Sequence, residues 1–286
     1  MTAIELTDVQ LRYPNGHEVL HGANLHVGDG EIVAMLGASG SGKSTVLRLI
    51  AGLQPSQSGT VKLAGQITDD DARHHAPPHR RDCTLVFQDA QLFPHRSVAG
   101  NVAYGLEAER VPRHERRQRV AETLELVDIA DLANRAITEL SGGQAQRVAL
   151  ARCLVIQPSV ILFDEPLSAL DRGLRQRLAV DIRALLKRTG TSAVYVTHDP
   201  AEATTVADRI TVVEHGQIHD LGPVPELDVS QLPESVASLL GGLGEVSGVV
   251  TAVTDESTTI ELLDKVVVIP GRQGTMGDTV TLNLGR

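Results

Sequence analysis

The chain has no tryptophan, and its three tyrosines and three phenylalanines bring aromatic residues to only 2% of 286 positions. A core built from it is therefore aliphatic. Two cysteines, Cys83 and Cys153, are too few for a disulfide framework, and their apolar surroundings predict buried, reduced thiols. No apolar run approaches the ~18–20 residues that a membrane span requires. The first ten residues contain no Lys or Arg, so no secretory n-region is expected. Basic residues number 26 against 36 acidic ones, a net charge of -10, which argues against a general nucleic-acid binder with a basic face. With 42% apolar and 22% charged residues, the composition is that of a soluble globular protein, expected in the cytosol. A prior of roughly 150 residues per domain allows about two domains.

What the chain does have is Gly37-Ala38-Ser39-Gly40-Ser41-Gly42-Lys43-Ser44, followed by Thr45. This fits G-x-x-x-x-G-K-[ST] at every fixed position. The apolar run Ile32–Leu36 before it suits a buried strand, and Val46, Leu47, Leu49, Ile50 and Leu53 after it recur at helical spacing. Strand, glycine loop and helix stand in the order that a phosphate cradle needs. Glycines let backbone N–H groups turn inward, and the helix N-terminus adds partial positive charge. Lys43 can reach β- and γ-phosphates, and the Ser44 hydroxyl can take a place on Mg²⁺. A glycine-rich turn that binds nothing would not need Lys-Ser at a helix start. The stretch reads as a nucleoside triphosphate site.

Other segments supply candidate chemistry. Residues 2–36 read as strands with turns at 14–16 and 28–30. Tyr13, one of few aromatics, is the candidate to stack on a base. Residues 69–82 read as a polar loop in solvent, and His74, His75 and His79 there lack the spacing of a metal site. Thr84–Phe87 reads as a buried strand ending at Gln88, a candidate Mg²⁺ or water ligand. Residues 98–134 look helical. Ser141 and Gln144 form a capping box, yet Gly142 and Gly143 weaken a first helical turn, so bare N–H groups there make a second anion loop. Val160–Phe163 is a further buried strand. It ends in Asp164-Glu165, adjacent carboxylates expected on opposite sides, Asp164 toward a metal and Glu165 toward an attacking water. A helix with Leu174, Leu178, Ile182 and Leu185 on its buried face follows Asp171. Ala193–Thr197 is another buried strand, ending at His198. Strands delivering Lys43, Gln88, Asp164, Glu165 and His198 to one rim fit an open α/β sheet with its ligand beyond the strand C-termini.

With these pieces in order, the chain resembles the ATPase subunit of an ATP-binding cassette (ABC) transporter over residues 3 to about 222. Residues 37–44 resemble its phosphate loop, Gln88 the start of its Q-loop, and Leu140-Ser141-Gly142-Gly143-Gln144 its signature. Phe163–Pro166 resembles the Walker B region, Ser168–Asp171 the D-loop, His198 the switch histidine and Tyr13 the adenine-stacking aromatic. Val86–His95 with Asn101–Leu106 resembles the importer subgroup that serves ferric iron, thiamine, polyamines, sulfate, phosphonates or sugars. The resemblance implies an α/β P-loop NTPase domain over 1–222 with a helical subdomain about 90–157, a linker and short helix over 223–244, and a small oligomer-binding-like β module over 245–286. It also implies a head-to-tail homodimer in which each ATP is held between residues 37–44 of one chain and Ser141–Gln144 of the other, with Thr45 and Asp171 as further candidate nucleotide-binding residues. Mg²⁺ is then held by Ser44, Gln88 and Asp164. Glu165 is the general base, and His198 and Lys43 contact the γ-phosphate. A membrane permease would dock through Leu92–His95 on the cytoplasmic face of the membrane, a solute-binding protein would deliver the solute, with ferric iron as the expected one, and no nucleic acid is involved. Two alternatives are a soluble ABC ATPase acting on DNA or ribosomes, which lacks its coiled-coil insertion or second cassette here, and a module that binds nucleotide but barely hydrolyses it.

Overall fold

A computed structural model describes residues 2–14, 16–71, 73–227, 245–254, 257–262, 265–270 and 275–283. Strands β1 (Thr2–Arg12) and β2 (Glu18–Gly28) pair antiparallel, and β3 (Ile32–Leu36) then leaves them for another sheet. After α1 (Lys43–Ile50), strands β4 (Ser58–Leu63), β5 (Gln66–Asp70) and β6 (His74–His75) complete a five-stranded antiparallel sheet ordered β2-β1-β4-β5-β6. Strand β7 (Cys83–Val86) joins the sheet of β3. A helical layer follows, made of α2 (Val98–Val102), α3 (Tyr104–Ala108), α4 (Arg113–Leu126) and α5 (Gly142–Leu154). Then come β8 (Val160–Asp164), α6 (Arg172–Thr189), β9 (Ser192–Val196), α7 (Pro200–Val206), β10 (Arg209–Glu214) and β11 (Gln217–Pro223). The resulting six-stranded sheet runs β11-β10-β3-β9-β8-β7 and is parallel except for the β10–β11 hairpin.

Strands β3 and β9 are buried at every position, as strands covered on both faces must be. Their side chains alternate between two cores. Ile32, Ala34, Leu36, Ile161, Phe163 and Tyr195 pack with the helical layer. Val33, Met35, Val160, Leu162, Val194 and Val196 pack on the opposite face with α1 and the antiparallel sheet. The period-two alternation of a strand thus divides one apolar sequence between two layers. Phe163 and Tyr195, the largest fully buried side chains, stack with ring centroids 5.3 Å apart on adjacent strands.

Two sequence expectations are corrected. The helical region 98–134 is not continuous, because Arg110 turns left-handed (φ 60) and Pro112 caps α4 instead of extending α3. Residues 69–82 are exposed along most of their length, as expected, but they are more than a loop: they carry the short strand β6 and two buried charges. The side chains of Asp69 and Arg81 are wholly buried and paired at 2.8 Å. Arg81 also donates to the carbonyls of Leu49, Ile50, Thr68 and Ala76, and His75 Nδ1 reaches Asp69 at 3.1 Å. One guanidinium therefore gathers the C-terminal carbonyls of α1, strand β5 and the entry to β7. Gly52 makes room for it, since a Cβ there would lie 2.4 Å from Arg81 Nε.

Beyond Pro223, four strands form an antiparallel sheet ordered β14-β13-β12-β15: β12 (Glu245–Val253), β13 (Ser257–Leu262), β14 (Lys265–Pro270) and β15 (Thr279–Asn283). They fall within the β module expected over 245–286. Most of the stretch expected as linker and short helix, residues 228–244, lies outside the described residues. Among the described residues no helix is long and apolar enough to cross a membrane.

Removing one partner of a buried ion pair leaves the other charge unpaired, at a cost of about 3–5 kcal/mol. Arg81→Ala is therefore expected to lower the melting temperature by on the order of 10 °C. Adding Asp69→Ala to it should cost less than Asp69→Ala costs alone, because the two share one interaction. Thermal melts of the two single variants and the double variant measure this, and additive losses would mean the pair is not coupled.

Candidate active site

Loop 37–42 leaves the C-terminal end of β3 and closes on Lys43. Gly37 has φ 151, and a Cβ on it would lie 2.5 Å from the Val213 carbonyl and 2.7 Å from Ser41 Oγ, so only glycine fits. Gly42 caps α1 at φ 109 and brings no side chain to the first-turn N–H groups, which leaves those donors free for an anion. The Lys43 ammonium is buried and donates to the carbonyls of Gly37 and Ala38, each at 2.8 Å. An ammonium has three N–H donors, so one remains for a phosphate oxygen. Burial lowers the Lys43 pKa, and the carboxylates of Glu165 and Asp164 act to raise it. Ser41 Oγ is enclosed and has no partner. An orphaned hydroxyl inside a loop of free N–H groups is what a phosphate ligand would satisfy.

Across from the loop, Ser44 Oγ donates to Asp164 Oδ1 at 2.8 Å. The two hard oxygens stand together at the end of β8, a donor set suited to Mg²⁺. Gln88 stands exposed in the turn after β7, the strand paired with β8. Glu165 turns away from Asp164, though not by strand alternation: β8 ends at Asp164, and Glu165 sits in the left-handed region at φ 47 with its N–H on the Val196 carbonyl. Its Oε2 meets His198 Nδ1 at 2.9 Å. With Nδ1 engaged, Nε2 is the imidazole nitrogen left for a ligand. Tyr13 is half-buried, and its hydroxyl is bonded to Thr45 Oγ1 at 3.0 Å, which fixes the ring beside the start of α1.

Ser141–Gln144 stand apart from this cluster. The capping box is present on both sides, Gln144 N–H to Ser141 Oγ and Ser141 N–H to Gln144 Oε1. The two glycines have a packing reason that sequence reasoning did not supply. A Cβ on Gly142 would lie 2.9 Å from Leu170 Cδ2, and one on Gly143 would lie 3.1 Å from Leu174 Cδ2. Asp171 caps α6 by accepting from Leu174 N–H. Sequence reasoning also missed Arg175. Its guanidinium donates to the carbonyls of Ser168 and Leu170 and pairs with Asp199 at 3.1 Å, tying the segment after Glu165 to the residue after His198. Asp199 in turn caps α7. Nothing in the periodicity of α6 marks Arg175, since its partners come from two other segments.

The stretch after Gln88 is less open than its apolar residues imply. Leu92 packs on the core of the helical layer, and Phe93 is half-buried against exposed Tyr104, with centroids 4.5 Å apart. Buried Asn101 accepts from Phe93 N–H and donates to the carbonyls of Phe93 and Ser97. Arg152 of α5 donates to the carbonyls of Ala90 and Gln91, both of which are left-handed.

These observations meet a family. A family model described as "ABC transporter" matches residues 20–168. The sn-glycerol-3-phosphate import ATP-binding protein UgpC of Chromohalobacter salexigens is 44% identical over 84% of this chain and 64% of its own length. The Fe(3+) ions import ATP-binding protein FbpC of Streptomyces avermitilis is 47% identical over 79% of this chain and 64% of its own length. The spermidine/putrescine import ATP-binding protein PotA of Thermobifida fusca is 42% identical over 91% of this chain and 67% of its own length. The chain thus spans about two thirds of the length of these relatives. The solved structure of cbiO1 from Clostridium perfringens, part of the ABC transporter complex cbiONQ, superposes with a TM-score of 0.72 at 30% identity, over 79% of this chain and 90% of that one. With the phosphate loop, the Asp164–Glu165 strand end and His198 gathered at one sheet edge, and with these matches, the chain belongs to the ABC transporter family.

Proposed function

We propose that this chain is an ATP-hydrolysing subunit that powers a membrane importer. The observation that carries the reading is the pairing at the C-terminal ends of β3, β8 and β9: Ser44 with Asp164, and Glu165 with His198. Two neighbouring carboxylates there have separate partners, which suits separate work.

In this reading Tyr13 flanks the base and Lys43, with unpaired backbone N–H groups of the loop and of the first turn of α1, binds the phosphates. Ser44, Asp164 and Gln88 are the residues that would hold Mg²⁺, which would offset the negative charge of the phosphates. Glu165 takes a proton from the attacking water as general base. His198, held through Nδ1 by Glu165, presents Nε2 to the γ-phosphate. Arg175 is a positioning residue, because it fixes the 168–170 backbone and the Asp199 that follows His198. Ser141–Gly143 and Asp171 then serve the nucleotide of a second copy of the chain, since the bonds that Ser141 and Gln144 make are with each other and not with residues 37–44. The strained segment after Gln88, braced by Arg152 and presenting Tyr104, is the proposed contact for an integral membrane permease on its cytoplasmic face. A solute-binding protein would deliver the solute to that permease. The four-stranded sheet beyond Pro223 would be a regulatory module. Relatives named for glycerol phosphate, polyamines and ferric ion are similarly identical, 42–47%, so identity does not favour iron over the other two.

Division of labour at the site predicts two different losses. Lys43→Ala should weaken ATP binding, whereas Glu165→Gln should keep binding and lose turnover by roughly 10²–10⁴-fold, as loss of a general base typically does. Steady-state ATPase rates and nucleotide titrations on both variants separate the two, and wild-type turnover in Glu165→Gln would end the general-base assignment.

Sharing of the site predicts complementation. A Lys43→Ala chain mixed with a Ser141→Arg chain gives a heterodimer with one doubly damaged site and one intact site. ATPase activity should return on mixing, and heterodimers shown to form yet inactive would count against it.

The positioning role of Arg175 predicts that Arg175→Lys keeps the Asp199 charge partner but loses the planar fork onto two carbonyls. Its kcat should fall several-fold while ATP affinity holds. Equal loss in kcat and affinity, or a melting drop with normal kcat, would make Arg175 merely structural.

A further inference from the structure

Between α4, α5, α6 and the end of β8 lies a cavity of about 310 Å³, and no residue of the phosphate loop lines it. The volume falls at the lower end of the range for small-molecule pockets, roughly 300–1,000 Å³. Its floor is Val86 and Phe163, and its walls include Leu150, Leu178 and Ile182, all apolar. The charged groups at its rim already have partners. Arg147 of α5 bridges to Asp181 of α6 at 2.6 Å and donates to the Val127 carbonyl, and Arg188 donates to the Leu126 carbonyl. A charged ligand therefore has no free counter-charge to meet there. One polar group is left over. Gln146, only 8% exposed, lines the cavity, and its Nε2 is enclosed with no hydrogen-bond partner. Among the described residues lining the cavity, Gln146 alone carries such an orphaned atom. A buried amide left unpaired costs on the order of 1–3 kcal/mol, which a ligand can recover.

We propose that this cavity is a binding site for a neutral, flat molecule of one or two rings that carries an adjacent N–H and C=O, the chemistry of a lactam or carboxamide. Such an edge pairs with both ends of a primary amide, and the ring fills the apolar floor. The site is placed to regulate. Val86 lies two residues before Gln88, and Phe163 directly precedes Asp164. Gln146 and Leu150 sit on α5, the helix that Ser141–Gln144 begin. An occupant wedges the helical layer against the sheet and lowers ATP turnover; this second half rests on the function proposed above, whereas binding itself does not.

The test uses 2-quinolinone, a bicyclic lactam, and naphthalene, its hydrocarbon counterpart, titrated into the full chain without nucleotide and followed by methyl NMR. Saturable shifts confined to the methyls of Leu150, Leu178 and Ile182 are expected with both. Gln146→Leu should weaken 2-quinolinone about three- to tenfold, the ratio for losing one neutral hydrogen bond, and leave naphthalene unchanged or tighter. Ala184→Phe, at an exposed position of the cavity wall, should abolish both while the melting temperature holds. No saturable shift in the wild type, equal affinity of 2-quinolinone for wild type and Gln146→Leu, or binding that survives Ala184→Phe would each overturn the site. In wild-type chain, 2-quinolinone should also reduce ATPase activity. Binding with undiminished ATPase overturns the regulatory half, and absence of any ATPase activity would refute the proposed function while leaving the NMR result standing.

Discussion

A buried ammonium is the constraint around which the nucleotide site is arranged. Taking Lys43 out of water is costly unless its donors are met and its charge is answered. The loop meets two donors with its own carbonyls, Gly37 and Ala38, and this is possible only because the backbone doubles back over the side chain. That path needs Gly37 in a region closed to other residues and pressed against the Val213 carbonyl of β10. The charge is answered by Asp164 and Glu165, from a strand two places along the sheet. The positions of β3, β8, β9 and β10 are thus all implicated in making one lysine tolerable, and the third donor and the free N–H groups are what remain for an anion.

Residues whose identity is dictated by a ligand or a strand period could be read in the sequence. The alternation of Ile32–Leu36 and Val160–Phe163, the glycines of the loop, and the polar residues at strand ends all carry local signals. Residues whose role is to join distant segments could not. Arg81 reads as one charge among several in a polar run, yet it is the most enclosed guanidinium of that stretch because its partners come from α1, β5 and the approach to β7. Arg175 reads as a solvated helix position for the same reason. The glycines at 142 and 143 were legible as an anomaly but not as to cause, since the leucines that press on them lie some thirty residues later. The carboxylate pair was read correctly in having two separate directions. Its geometry was not, because a left-handed turn at Glu165 cannot be inferred from a strand pattern.

Beyond the apolar core that the helical layer shares with the sheet, two of its contacts lie beside the chemistry. Arg152 holds the backbone of Ala90 and Gln91 from α5. Leu170 and Leu174 seat the glycines at the N-terminus of the same helix. A rotation of α5 about its own axis would therefore pull on the turn that bears Gln88 and shift the Ser141 loop together. Apolar packing does not fill the remaining space, where the cavity over Val86 and Phe163 lies.

The polar contacts around the helical layer differ in burial. The polar bonds that join the layer to α6, Arg147 to Asp181 and Arg188 to Leu126, sit at a partly exposed rim where water can replace them at small cost. Other polar contacts are buried: Arg81 with Asp69 beside α1, and Glu202 with Tyr195 and Thr197 on the helical-layer face of the sheet. Burial raises the Glu202 pKa, and the hydrogen bonds from Tyr195 and Thr197 act to lower it.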